Sequence, residues 1–289
     1  MIYDQAADLR KKLQSTPNKM ERLTRVITIT SGKGGVGKSN FTLNFALALL
    51  EKQHKTVILD ADIGLANIDI LMGIAPKYTL QDMLYQHLQI WDILEKGPNE
   101  LEFIAGGSDL EGLFDMNKKY FPYLFEQFLL LNGYVDTLLI DTGAGVTPES
   151  LKFMFSSDEI FLVTSPEPTS ITDAYAMIKM IFSKKKEIKI SLVINRVTNE
   201  QEGHNTANRI KAVAKRFLNC DIGLLGFIYD DEIVPKAVKK QEPFYLSYPN
   251  SRASRSINNL VQNYLSNHEY VHSKGVRTFL ERMTYWFHR

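Results

Sequence analysis

The residues with the clearest chemistry are Gly32, Lys33, Gly34, Gly35, Val36, Gly37, Lys38 and Ser39, followed by Asn40. They come directly after Val26, Ile27, Thr28, Ile29 and Thr30, a β-rich run, and directly before a helical pattern. A glycine-rich turn between a strand and a helix aims successive backbone N–H groups into one concavity, and the helix N-terminus adds partial positive charge. That concavity suits the phosphates of a nucleotide. Lys38 is spaced to reach the β- and γ-phosphates, and the Ser39 hydroxyl to bind Mg²⁺. Lys33 is a second lysine in a loop that needs only one.

Two further sites supply carboxylates. Val57, Ile58 and Leu59 lead into Asp60, Ala61 and Asp62; Leu138, Leu139 and Ile140 lead into Asp141, then Thr142, Gly143, Ala144 and Gly145. An acid at the end of an apolar strand is delivered to the phosphate side of a sheet. Asp141 is expected beside the magnesium shell, with the glycines permitting a mobile loop, and Asp60 is expected to support the same shell. Asn195 ends another apolar run, and its amide carries both a donor and an acceptor, enough to read the edge of a base.

These residues need a frame that gathers strand ends. Apolar runs at 26–30, 56–60, 101–104, 137–141, 159–164, 189–194 and 222–227 read as strands buried on both faces. Helical patterns at 40–52, 118–131, 170–183, 205–218 and 252–265 separate them, with shorter ones near 79–85 and 90–94. The alternation predicts an α/β fold, a doubly wound and mostly parallel sheet flanked by helices, with ligands outside the carboxyl ends of the strands. A unit spanning 25–267 holds all of this.

The two ends differ. Residues 1–14 read as a short helix, with Ala6, Leu9 and Leu13 at helical spacing, and 15–24 as a linker broken by Pro17. In 274–289, Val276, Phe279, Leu280, Met283 and Phe287 form an apolar stripe bordered by Trp286, and four cations face the single acid Glu281. A polar stretch precedes the segment, which reads as detached from the core. Periodicity alone favours docking, whereas basic charge with large aromatics suits an anionic membrane surface.

The composition excludes several classes. Of 289 residues, Lys and Arg number 34 and Asp and Glu 33, so no global charge draws the chain to nucleic acid, and no specific nucleic-acid partner is expected. The single cysteine, Cys220, makes neither an intrachain disulfide nor a cysteine-ligated cluster and reads as a small buried residue. No run approaches the ~20 apolar residues of a membrane span. A cytoplasmic protein is expected.

With Lys33, Gly34, Gly35, Gly37, Lys38 and Ser39 in this order, the chain resembles the deviant Walker A ATPases of the ParA/MinD family. The resemblance implies an ATP hydrolase using ATP/ADP and Mg²⁺, an ATP-dependent homodimer with Lys33 reaching the partner's phosphates, and Asp62 positioning the attacking water. It also implies Asn195, Arg196, Tyr229 and Pro235 around the adenine, and a membrane-targeting tail that makes the protein reversibly peripheral on the inner face of the cell membrane. Asp4, Gln5, Ala6, Leu9 and Arg10 resemble the DQAxxLR element of the flagellar-number branch, FlhG. In that branch the element stimulates the signal-recognition-type GTPase FlhF, a role that falls to Gln5, and flagellar basal-body or C-ring components are further partners. The rivals are a ParA-type DNA-segregation ATPase, a MinD-like division-site regulator, an iron–sulfur carrier and an adaptor with a dead site. The charge balance, the aromatic tail, the lone Cys220 and the complete set Lys38, Ser39, Asp62 and Asp141 weigh against the first, third and fourth.

Overall fold

The computed structural model describes residues 23–62, 67–107, 120–185, 187–268 and 273–287. The N-terminal element with Asp4, Gln5, Ala6, Leu9 and Arg10 lies outside these residues, as does the side chain of Phe287. The strands are β1 (Arg25–Thr30), β2 (Thr56–Ala61), β3 (Glu95–Lys96), β4 (Glu102–Ile104), β5 (Thr137–Thr142), β6 (Glu159–Thr164), β7 (Lys189–Val197) and β8 (Gly223–Tyr229). They form one sheet in the order β3-β4-β2-β5-β1-β6-β7-β8, parallel throughout except for the short antiparallel β3. All seven expected strands are present. β3, two residues long, has no pattern to announce it.

The helices are α1 (Lys38–Glu51), α2 (Ile68–Met72), α3 (Leu80–Gln86), α4 (Ile90–Ile93), α5 (Phe121–Leu129), α6 (Pro148–Ser156), α7 (Pro168–Lys184), α8 (Glu200–Leu218), α9 (Ile233–Lys240), α10 (Phe244–Ser247), α11 (Arg252–His268) and α12 (Gly275–Phe287). α8 starts earlier than its apolar pattern implies, because Asn199 caps it by accepting from the Glu202 N–H at 2.9 Å. α2, α6, α9 and α10 are too short to stand out by periodicity.

Strand alternation divides the interior into layers. Ile27, Ile29, Ile58, Leu139, Phe161 and Val193 face α1 and α11, while Val26, Val57, Leu59, Leu138 and Ile140 face α3, α4, α5 and α12. Ile160, Leu162, Leu192 and Ile194 face α6, α7 and α8. On the first side Phe45 of α1 lies 5.8 Å from Phe161 and 5.7 Å from Tyr264 of α11, both edge-on. This packing fixes α1, and with it the phosphate loop, on the sheet.

β1 sits between β5 and β6. The chain leaves it toward β2 on one side and later returns to β6 on the other, so the crevice beyond β1 and β5 is the topological switch point. The parallel register aligns Asp60 of β2 with Asp141 of β5 and Asp141 with Ile29 of β1. Both carboxylates thus reach the same end of the sheet as the loop after Thr30.

The tail is not detached, which corrects the sequence expectation. α12 lies against α6, β1 and α5. Val276, Phe279, Leu280 and Met283 are buried among Leu124, Phe128 and Phe153, and Trp286 packs on Phe155 with ring centroids 4.6 Å apart. Polar contacts fasten its start: the Val276 N–H donates to Asn132 Oδ1 at 3.1 Å, and the Ser273 hydroxyl donates to the Thr24 carbonyl at 2.8 Å. Burying each large side chain of the stripe contributes about 1.5–3 kcal/mol. The apolar stripe read from the sequence is therefore a docking face here. Leu280→Ala should lower unfolding stability by about 2–5 kcal/mol. Urea denaturation checks this; an unchanged midpoint would mean that α12 does not dock in solution.

Candidate nucleotide site

The loop between β1 and α1 is built on glycines with different constraints. Gly37 caps α1 in the left-handed region at φ 91°, and a Cβ there would meet Asn195 Nδ2 at 2.3 Å. Gly32 packs so closely on α7 that a Cβ would lie 2.5 Å from the Asp173 carbonyl carbon. Gly35, at φ 77°, has nothing within 4 Å of its Cβ direction, and Gly34 meets only the Ala144 side chain at 3.9 Å. The middle of the loop therefore opens onto free space while its two ends are wedged.

That space is a cavity of about 1030 Å³. Gly34, Gly35, Gly37, Lys38, Ser39 and Asn40 form its floor, Asp62 and Asn67 one side, and Asn195, Arg196, Tyr229 and Pro235 another. The structure thus brings together every residue assigned to the base and most of those assigned to the phosphates. Val36 is buried, and its carbonyl accepts a hydrogen bond from Asn195 Nδ2 at 2.7 Å, while Asn195 Oδ1 accepts from the Arg196 N–H at 2.9 Å. Asn195 is therefore a strut holding the loop in place as well as a wall residue.

Lys38 is buried and ion-paired with Asp141, Nζ to Oδ2 at 2.9 Å, and its Nζ donates to Ser39 Oγ at 3.1 Å. The Thr42 hydroxyl donates to the other Asp141 oxygen at 2.6 Å. Asp141 thus stands behind Lys38 rather than on the cavity wall. Asp60 is enclosed too. Its Oδ1 accepts from the Asp62 N–H at 3.1 Å, and its Oδ2 accepts from the Asn67 and Ile68 N–H groups at 2.9 and 3.1 Å. These bonds brace the loop that carries Asp62, so in this arrangement Asp60 anchors that loop.

Burial, with the Asp141 charge beside it, pushes the Asp60 carboxyl up to about 7, although the three amides oppose the shift. Asp62 is on the wall, with Asn67 Nδ2 donating to its Oδ2 at 3.1 Å. Partial burial raises its carboxyl, Lys38 opposes, and Asp141 adds to the rise. Gly143 is required opposite it, since a Cβ there would come within 2.9 Å of Asp62 Oδ1.

Lys33 is outside the cavity. Its Nζ donates to Glu167 Oε2 and Thr169 Oγ1, both at 3.1 Å, at the start of α7. Several wall residues have no motif to mark them: Phe41, Leu71, Ser150, Val234, Val238 and Phe244. One signal was available for α6. Thr147, Pro148 and Ser150 form a helix-start pattern after the flexible loop, and Thr147 and Ser150 do make a capping box. Cys220 is buried with its thiol pushed up by burial, as expected of a small core residue.

The parallel sheet, the wedged phosphate loop and the two carboxylate strands define a P-loop ATPase of the MinD/ParA class. Residues 27–244 match the CobQ/CobB/MinD/ParA nucleotide binding domain, and the chain belongs to that family. It is 36% identical over 238 residues to the antiactivator FleN of Pseudomonas aeruginosa, covering 82% of this chain and 85% of that relative. It is 32% identical over 277 residues to the flagellum site-determining protein YlxH of Helicobacter pylori, covering 90% of each. The septum site-determining protein MinD of Pyrococcus horikoshii, solved with Mg-ADP, superposes with a TM-score of 0.68 at 26% identity, covering 84% of this chain and 96% of that one.

Two outcomes are expected of the site. Lys38→Ala should abolish nucleotide binding in calorimetry and, by leaving Asp141 buried without its cation, cost about 3–5 kcal/mol of stability. The second concerns pH. An acid with a raised folded-state value holds its proton where the unfolded chain has lost it, so the folded form binds more protons between the ordinary carboxylate range and about 7. Stability of the nucleotide- and magnesium-free protein should therefore fall as pH rises through that window. Urea midpoints measured across it should show a shallower fall for Asp60→Asn; an equal slope would remove Asp60 as the source.

Proposed function

We propose that this ATPase binds ATP with Mg²⁺, pairs with a second copy across the phosphate loops, attaches reversibly to the inner face of the cell membrane through α12, and sets flagellar number and placement. The observation that carries the flagellar reading is the similarity to FleN and YlxH over most of each chain. Among the described residues no helix is long and apolar enough to cross a membrane, so attachment through one amphipathic face is the form considered.

The site fits a magnesium nucleotide by its open, amide-lined floor at Gly34 and Gly35 and its hydroxyl at Ser39. Lys38 would hold the β- and γ-phosphates, Asp141 would support the magnesium shell, and Thr42 would steady the Asp141 carboxylate through the bond it makes here. Ser39 supplies the hydroxyl ligand. Mg²⁺, when bound, neutralises charge on the phosphates. Asp62 orients the attacking water from the wall, held there by Asn67 and by the Asp60 anchor. Tyr229, Pro235, Arg196 and Asn195 enclose the base.

Lys33 supports the pairing step. The cis site already has its cation in Lys38, and the Lys33 contact with Glu167 is exposed, with side chains 41% and 56% accessible. Such a pair is worth about 0–1 kcal/mol and gives way readily to phosphates of a second copy. On this reading α12 is docked in the state described here and released when ATP binds, and pairing brings two released tails to one membrane, which a single tail holds too weakly. Sedimentation with anionic liposomes tests the scheme. Wild type should sediment with ATP, Asp62→Ala should sediment and stay trapped, and Lys33→Ala should bind ATP yet remain in the supernatant. Nucleotide-independent sedimentation of all three would overturn it.

The N-terminal element is proposed, from its sequence alone, to stimulate the GTPase FlhF through Gln5. A peptide spanning residues 1–18 should accelerate FlhF GTP hydrolysis and its Gln5→Ala form should not. Equal stimulation by both would make Gln5 a bystander.

A further inference from the structure

One helix has its two ends in two different places. The N-terminus of α6 is in the nucleotide cavity, where its cap Thr147 and the buried Ser150 form part of the wall. Just before it, the Gly145 N–H donates to the Ser31 carbonyl at 2.8 Å, which ties this stretch to the phosphate loop. The C-terminus of α6 lies under the tail. Phe153 shares a buried cluster with Phe279 and Leu280, Phe155 meets Trp286, and the Ser156 carbonyl accepts from Arg282 Nη1 at 3.5 Å. Two residues on, Asp158 Oδ2 accepts from the Ser273 hydroxyl at 3.2 Å, at the start of the tail.

The 9 residues of α6 thus bridge the cavity and the tail dock, a span of about 13 Å at the helical rise. Of the elements packed most extensively on α12, namely α6, β1 and α5, only α6 has residues in the cavity wall. Among the described residues, none of α12 lines it. A ligand shifts a conformational equilibrium only by as much as it distinguishes the two states. For the nucleotide to change tail docking, the difference must pass through something that touches both. A helix wedged in a close-packed interior shifts as a unit instead of deforming along its length.

The geometry points to α6 as the transmission element through which occupancy of the nucleotide cavity sets whether α12 stays docked. This rests on the reading that the tail is released, and it adds the route. Filling the cavity displaces Thr147 and Ser150, α6 carries the displacement to Phe153, Phe155 and the Ser156 carbonyl, and the dock loses its fit. Coupling is reciprocal, so weakening the dock must tighten nucleotide binding by the same factor.

The chain supplies its own reporter. Its two tryptophans are Trp91 and Trp286, and in the Trp91→Phe protein the emission comes from Trp286 alone. Adding a non-hydrolysable ATP analogue with Mg²⁺ should shift that emission to the red as the contact with Phe155 is lost. Lys152, half-exposed in the middle of α6, is the place to soften the helix. Lys152→Gly weakens it, whereas Lys152→Ala removes the same side chain and keeps helix propensity. Lys152→Ala should respond like the parent, and Lys152→Gly should bind the analogue yet lose most of the shift. Reciprocity gives a second measurement that does not depend on fluorescence. Leu280→Ser, which loosens the dock, should tighten analogue binding by at least about fivefold in the parent and leave it unchanged in the Lys152→Gly background. A full emission shift or full tightening with Lys152→Gly would overturn α6 as the transmitter while leaving tail release standing. No shift in the parent would overturn tail release itself, and the route with it.

Discussion

The ion pair between Lys38 and Asp141 organises the site. Both groups are almost fully shielded from water, and a buried pair of this kind gains little net stability over an apolar replacement. Its value lies in position. It holds the phosphate-binding lysine extended beneath the loop, gives Asp141 a cation beside a second carboxylate, and leaves Ser39 oriented by a direct contact with Nζ. The strand register makes this arrangement unavoidable. Once β2 and β5 pair with Asp60 opposite Asp141, two acids sit side by side and Lys38 pairs with Asp141. Among the described residues Asp60 has no cation of its own and accepts from three backbone amides instead, while burial and the Asp141 charge push its carboxyl up to about 7.

The rest of the molecule supports that geometry. The aromatic contacts of Phe45 with Phe161 and Tyr264 fix α1 on one face, so the helix N-terminus cannot drift from the strand end that feeds it. On the other face α6 and α7 hold the flexible loop after Asp141 and the exposed end of the phosphate loop. The nucleotide site therefore has packed walls on both sides of the sheet, and its freedom is concentrated in the glycines between them.

How much of this was legible in the sequence varied with the range of the interaction. The phosphate loop, the strand-terminal acids and the alternation of strands and helices depend on neighbours within one element, and they are found where the residues placed them. Asn195 reached the cavity as expected, but its bond to the Val36 carbonyl joins residues 159 positions apart, beyond any local pattern. The amides around Asp60 belong to a loop whose path is set by packing. The tail shows the limit most plainly, because an apolar stripe at helical spacing is the same whether it meets lipid or protein. Only the complementary surface of Leu124, Phe128 and Phe153, gathered from two other helices, decides that it docks. Ser150 entered the site through the placement of α6, which no spacing within its own segment encodes.

The contact between Gly32 and the backbone of α7 has a mechanical consequence. With no room for even one methyl group between them, the first part of the loop and the start of α7 behave as a single body. Gly35 and Gly145 both have positive φ and nothing near their Cβ directions. The freedom of the loop is thus at its middle, beyond the point where Gly32 is wedged against α7. The wedged segment is the one next to Lys33 and the two α7-start residues that hold it, so Lys33 is presented from the fixed part of the loop.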